Sequence, residues 1–122
     1  VLEPLAEAGV PRLHFGVGTN EFLDLMHGAG ADVVGVDWRI PLDEAARRIG
    51  PGAVVQGNLD PALVLAGWDV MREATDAVLA TNDGHPAHVF NLGHGITPDV
   101  NPEHLGVLIE AVHEMSRRNV TV

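Results

Sequence analysis

The sequence predicts an α/β chain in which parallel strands alternate with helices. Three observations lead there. Short aliphatic runs recur between amphipathic stretches whose apolar residues repeat every three or four positions. The centres of the aliphatic runs lie about 20, 20 and 35 residues apart, which is the spacing of βα units. Hydrophobic residues make up 46% of the chain but aromatics only 4%, so the core must be built from Val, Leu, Ile and Ala, as suits buried parallel strands covered by helices.

The elements follow in order. Leu2, Leu5 and Ala6 share one helical face and Gly9 suits a C-cap, so the chain is expected to open with the tail of a helix. Residues 10–17 read as a strand. Thr19 suits the N-cap of the next helix, with Phe22, Leu25 and Met26 as its stripe and Gly28 and Gly30 at its end. Val33-Val34-Gly35-Val36 is a short buried strand. Pro41 fits a first helical turn, with Leu42, Ala45, Ala46 and Ile49 inward and Gly50 as the stop. Ala53-Val54-Val55-Gln56 is the third strand, and a short helix follows Pro61. Asp69 suits the cap of a longer helix with Met71, Ala74, Ala77 and Val78 inward, and Asn82-Asp83-Gly84 is turn chemistry. His88-Val89-Phe90 is the fourth strand. Asn101-Pro102 starts the last helix, whose stripe is Leu105, Leu108, Ile109, Val112 and Met115. Four such units in 122 residues do not close an eight-stranded barrel, so the pattern leaves two architectures: a small open sheet, or the last half of a barrel.

The charge balance excludes several functions. Seventeen acidic residues against seven basic ones give a formal charge of −10, with no basic face for nucleic acid. All seven basic residues are arginines. Cysteine is absent, which rules out disulfides and thiolate-bound metal within the chain. No apolar run reaches the roughly 18–20 residues of a membrane span, so no membrane partner is expected. The first residues lack the basic-then-apolar order of a signal peptide. The absence of an initiating Met fits a chain that starts mid-protein.

Each strand leads into a polar or glycine-rich run: Gly16-Val17-Gly18, Asp37-Trp38-Arg39, Gly57-Asn58-Leu59-Asp60 and Asn91-Leu92-Gly93-His94-Gly95. Ligands of α/β proteins bind at the C-terminal ends of the strands, so these four runs should share one rim. His94 is the sharpest candidate. Between two glycines its imidazole can approach a ligand closely and can donate a hydrogen bond or hold a proton near neutral pH, although a loop histidine bonded to backbone has the same signature. Asp37 beside Arg39 reads as an ion pair or a substrate contact. Asn58 and Asp60 read as loop bonding and capping ahead of Pro61. His14 is either a core histidine or, if it faces inward, a ligand. His27, His85, His104 and His113 read as surface residues and His88 as ambiguous. Trp38 and Trp68 read as packing residues. Glu21 stands where a third phosphate-loop glycine would fall, no Lys exists for a P-loop, and Ser116, the only serine, lies in the last helix; nucleotide binding and serine hydrolysis are therefore not expected.

Several blocks carry a family likeness. Leu13-His14-Phe15-Gly16, Val34-Gly35-Val36-Asp37-Trp38, Gln56-Gly57-Asn58-Leu59-Asp60-Pro61 and Asn91-Leu92-Gly93-His94-Gly95-Ile96 resemble successive blocks of the uroporphyrinogen decarboxylases. Pro98-Asp99, Pro102-Glu103-His104, Val112-His113 and Ser116-Arg117 continue the match, so it covers nearly the whole chain in order. The resemblance implies that residues 1–122 are the C-terminal part of a single (β/α)8 TIM barrel, about four βα units of a cytoplasmic homodimer that uses no cofactor and no metal. It implies loss of CO2 from the four acetate side chains of uroporphyrinogen III, giving coproporphyrinogen III in haem biosynthesis. His94 falls on the family's active-site histidine, as a catalytic and substrate-binding residue. The family's substrate-clamping arginines, pyrrole-binding aspartate, tyrosine and serine lie in preceding segments, and this chain has no tyrosine. The isolated chain is accordingly expected to be inactive.

Two other readings compete with this one. Related barrels are zinc-dependent methyltransferases with a His-x-Cys block near the first strand here and a Cys near the last. This chain has His14-Phe15-Gly16 and Gly93-His94-Gly95 instead. The other reading is a non-catalytic, self-associating piece, because half a barrel leaves strand edges and an apolar interior uncovered.

Overall fold

A computed structural model describes residues 2–81 and 87–118. Its four strands, β1 (Leu13–Phe15), β2 (Val33–Gly35), β3 (Val54–Leu59) and β4 (His88–Leu92), pair in parallel in the order of the sequence. Helices α1 (Leu23–Gly28), α2 (Leu42–Ile49), α3 (Trp68–Thr81) and α4 (Pro102–Arg118) follow the strands one by one. This is the predicted alternation, and consecutive neighbours in a parallel sheet are what a barrel segment requires.

The register explains the packing. Val34 and Val55 lie side by side on one face and are fully buried beneath Leu42, Ala45 and Ile49 of α2 and Leu23 and Met26 of α1. A second cluster joins Leu59 to Val64, Met71 and Leu108, where α3 and α4 cover the end of the sheet. The opposite face aligns Phe15, Gly35, Gln56 and Val89. Phe15 and Val89 remain exposed there, and Phe15 lies against Gly35 so closely that a Cβ on the glycine would fall 2.8 Å from it.

Several elements differ from the sequence reading. The opening helix is a 3₁₀ turn, Glu3–Ala8, with no buried residue; without a packed face it has nothing to favour the wider α form, though Gly9 does end it in the left-handed region at φ 67°. The strand expected over residues 10–17 shortens to Leu13–Phe15, because only those residues meet β2. Thr19 caps no helix: its hydroxyl donates to the Gly16 carbonyl at 2.9 Å, and a 3₁₀ turn, Asn20–Phe22, precedes α1. Leu23 and Met26 face the core while Phe22 and Leu25 are exposed, a one-residue rotation of the expected stripe. β3 runs on through Gly57 and Asn58, since β4 continues to pair with it as far as Leu59. Asp69 lies inside the first turn of α3, and Thr75 takes the buried position expected for Ala77, its hydroxyl donating to Met71 O at 2.7 Å. Ile109, expected in the α4 stripe, is exposed.

Other expectations hold. Asp60 caps the 3₁₀ turn Pro61–Leu65 through Oδ1, which accepts from Ala62 N at 2.9 Å. Asn101 caps α4, accepting from Glu103 N at 3.0 Å. The Asn82-Asp83-Gly84 turn and His85 lie outside the described residues. Among the described residues no helix is long and apolar enough to cross a membrane.

Leu42 is 1% exposed and joins the first turn of α2 to Val34 and Val55. Leu42→Ala is expected to lower unfolding stability of the full-length protein by about 2–4 kcal/mol, read as a shift of the urea midpoint without loss of slope.

Candidate active-site rim

The four polar runs converge at one end of the sheet, and a buried carboxylate organises them. β2 ends at Gly35, Val36 enters the core, and Asp37 is left fully buried beyond the strand. Its Oδ2 accepts from Gly18 N at 2.5 Å and from Arg39 Nη1 at 2.9 Å. Its Oδ1 accepts from Arg39 N at 2.9 Å and from Asn20 Nδ2 at 3.1 Å. Burial pushes the carboxyl upward, but the hydrogen bonds from Gly18, Arg39 and Asn20 outweigh it, so Asp37 is held below the ordinary aspartate value of 3.8. Of its two sequence readings, the ion pair is the one the geometry realises.

Asn58 ties in the third run. Its Nδ2 donates to Asp37 O at 2.8 Å and to Ile40 O at 2.6 Å, and the side chain is buried. The fourth run docks through glycine. Gly93 N donates to Leu59 O at 2.7 Å, and a Cβ at Gly93 would collide with the backbone of Asp37 and Trp38. This close approach carries His94 to Trp38, whose ring it meets edge-on with centroids 5.6 Å apart and planes 85° apart.

The His94 ring is exposed, and its Nδ1 lies 2.6 Å from Gly95 O. A carbonyl oxygen only accepts, so Nδ1 carries the hydrogen that it donates to Gly95 O and Nε2 is the ring nitrogen left for a ligand. Arg39 leaves Asp37 to lie over Trp38, Cζ 4.0 Å from the ring, with its side chain 49% exposed. Trp38 and Arg39 also line a cleft of about 430 Å³ with Asn58, Asp60, Leu63, Ala74 and Val78. A second groove of about 340 Å³, between β4 and α4, is lined mainly by Phe90, Leu92, Ile96, Leu108 and Val112. Asn91 and His113 are the only polar residues of that lining, whereas Asp37, Arg39, Asn58 and His94 gather on the rim, so the rim is the better candidate site.

The other described histidines stand apart from this constellation. His14 shares the face of Val34, the helix-covered side, yet is exposed at the edge strand; it is neither the inward ligand nor the core histidine expected. His27 contacts Ala31 O at 2.8 Å, His88 Gly57 O at 2.7 Å and His104 Val64 O at 3.1 Å. Sequence reasoning missed Asn20, whose amide on Asp37 has no motif, and treated Trp38 as packing alone, although its place between Arg39 and His94 makes it a divider of the rim.

A parallel βα sheet in sequence order with its polar strand exits gathered on one rim defines an α/β segment of the (β/α)-barrel class. The uroporphyrinogen decarboxylase (URO-D) family model matches residues 2–115. Among relatives, the uroporphyrinogen decarboxylase of Streptomyces coelicolor is 56% identical over 118 residues, covering 97% of this chain and 33% of the relative. Those of Thermobifida fusca and Nocardia farcinica are 58% identical over 113 residues and 55% over 120, covering 93% and 94% of this chain and 31% and 34% of the relatives. The chain therefore belongs to the uroporphyrinogen decarboxylase family, and it spans about a third of the length of these relatives.

Two outcomes test the rim. Asp37 binds its proton less readily folded than unfolded, so it stabilises the fold above the unfolded value of 3.8 and that contribution is withdrawn as pH falls through its lower folded value. Asp37→Asn is expected to cost about 3 kcal/mol at pH 7, and urea titrations from pH 7 to 3 should show a shallower acid loss than in the wild type. Gly93→Ala should displace the His94 loop; Trp38 fluorescence, quenched or shifted differently from wild type at unchanged far-UV circular dichroism, reads the displacement.

Proposed function

We propose that residues 1–122 are the C-terminal part of one (β/α)8 barrel, about four βα units, and that the full-length protein is a carboxy-lyase. It would convert the four acetate side chains of uroporphyrinogen III to methyl groups, giving coproporphyrinogen III, without a cofactor. The barrel would act as a cytoplasmic homodimer, as the family resemblance implies, and the isolated 122-residue chain would be inactive.

The chemistry fits a site of this kind. Protonation of a pyrrole carbon makes the ring cationic. The bond between the acetate methylene and its carboxylate then breaks, and its electron pair flows into the ring as CO2 leaves. Protonation of the exocyclic carbon completes the methyl group, and the ring gives up its added proton. No metal or organic electron sink is needed; the protein must orient the ring and place charge.

The observation that supports this reading is the exposed, glycine-flanked His94 on the rim, with Nδ1 committed to Gly95 O and Nε2 left for a ligand. His94 is proposed to hydrogen-bond a substrate carboxylate or assist proton delivery, as a helper and not as the sole acid. His94→Asn in the full-length protein is expected to lower kcat/KM for uroporphyrinogen by about tenfold or more while the thermal midpoint stays within about 2 °C. An unchanged rate would remove His94 from the mechanism.

A further inference from the structure

Arg39 has a geometry that its role as an ion-pair partner does not account for. Asp37 already accepts from three other donors: Gly18 N, Arg39's own backbone N–H and Asn20 Nδ2. The guanidinium adds a single bond to it, from Nη1. An arginine carries five N–H donors in a planar fork, so most of this fork remains uncommitted to Asp37. The side chain is 49% exposed, while its partner carboxylate is fully buried. Its plane is set from one side by Asp37 and from below by the Trp38 ring, 4.0 Å from Cζ. A guanidinium held in one orientation, with its outer edge exposed, is prepared for bidentate recognition of a carboxylate.

Three other arginines give the contrast. Arg12 is matched to Asp32 through two side-chain bonds, Arg47 pairs with Glu44, and Arg48 is shared between Glu44 and Glu21. Each of those cations lies beside a partly or wholly exposed acid, and none of them lines the rim cleft. Arg39 lines the cleft beside Trp38, on whose edge His94 sits. Asp60 shares that cleft, but its Oδ1 is turned to Ala62 N.

We infer that Arg39 is a specificity-determining residue that grips a non-reacting carboxylate of the polycarboxylate substrate while His94 addresses the ring being decarboxylated. The inference rests on the proposed function for the identity of the substrate. The choice of a non-reacting carboxylate follows from charge. The departing carboxylate loses its charge as CO2 forms, so a strong cationic fork on it would stabilise the ground state more than the transition state and slow the reaction. A spectator carboxylate keeps its charge throughout, and binding it lowers KM while leaving kcat nearly alone. Trp38 separates the two functions: a cation lies on its face and an imidazole at its edge.

The test uses the full-length protein and two readouts, steady-state decarboxylation of uroporphyrinogen and equilibrium binding of uroporphyrin, the oxidised ring that retains all the carboxylates and does not react. Arg39→Gln is expected to raise KM and the uroporphyrin Kd by about tenfold or more, with kcat within about twofold. Because Arg39→Gln also removes a partner from Asp37, Arg39→Lys is measured beside it. The lysine keeps a cation for Asp37 but has no fork; it should fold as the wild type and still bind about fivefold more weakly. Wild-type Kd and KM in Arg39→Lys, or a loss confined to kcat, would overturn the inference. So would failure of the wild type to bind uroporphyrin. Arg39-dependent binding by a wild type that does not turn over uroporphyrinogen would sustain the carboxylate grip and defeat the proposed reaction.

Discussion

The rim is organised by the carboxylate of Asp37, buried beyond the end of β2 with a full set of donors. An ionised carboxylate out of contact with water is costly unless its lone pairs are met, and here every bond to it comes from a different part of the rim or from its own turn. Gly18 and Asn20 bring the β1 exit to it, and Arg39 closes the turn after β2. Asn58 then holds that turn from the other side through Asp37 O and Ile40 O. The exits of β1, β2 and β3 are thus one hydrogen-bonded unit, and Gly93 docks the exit of β4 onto it.

That arrangement separates support from chemistry. Asp37 and Asn58 are buried and have partners, which makes them poor candidates for touching substrate and good ones for fixing what does. Arg39, Trp38 and His94 project from the unit toward solvent. The general pattern of a functional site is a rigid inner shell that positions a few exposed groups, and a loop held to a parallel sheet by its own backbone is well suited to carry them. The collision that any side chain at position 93 would have with the Asp37–Trp38 backbone accounts for one of the two glycines around His94. A Cβ at Gly95 meets nothing within 4 Å, so that glycine has no comparable steric reason.

Much of this was legible in the residues because it depends on local patterns. Buried parallel strands are continuous aliphatic runs, and the polar exits of α/β strands stand out against them, so the four runs and their shared rim could be read directly. Asp60 and Asn101 were readable as caps because capping is a short-range interaction with a fixed offset. What could not be read depends on contacts distant in sequence. Thr19 has the composition of a cap but bonds back to Gly16, and β3 extends past Gln56 only because β4 lies alongside it. The position of His14 on the helix-covered face follows from its pairing with Val34, and alternation within three residues of edge strand gives no hint of it. Asn20 reaches Asp37 across seventeen residues, and no spacing rule announces such a bond.

The charge distribution carries the reasoning one step further. A chain at −10 opposes a polyanionic ligand, and most of its described ion pairs consume its arginines against its own acids: Arg12 with Asp32, Arg47 and Arg48 with Glu44. Those pairs lie at partly exposed acids, where they contribute modestly to stability and are engaged with the chain's own carboxylates. If the ligand is a tetrapyrrole bearing carboxylates around its rim, this chain can offer one oriented guanidinium and one imidazole at the rim, and most of the positive charge has to come from outside it. On the proposed function the acidic surround would then act on orientation: a polycarboxylate repelled by most of this segment and held at Arg39 would have few ways to lie across the rim, which a reaction repeated on several similar side chains would need each time the ring is presented.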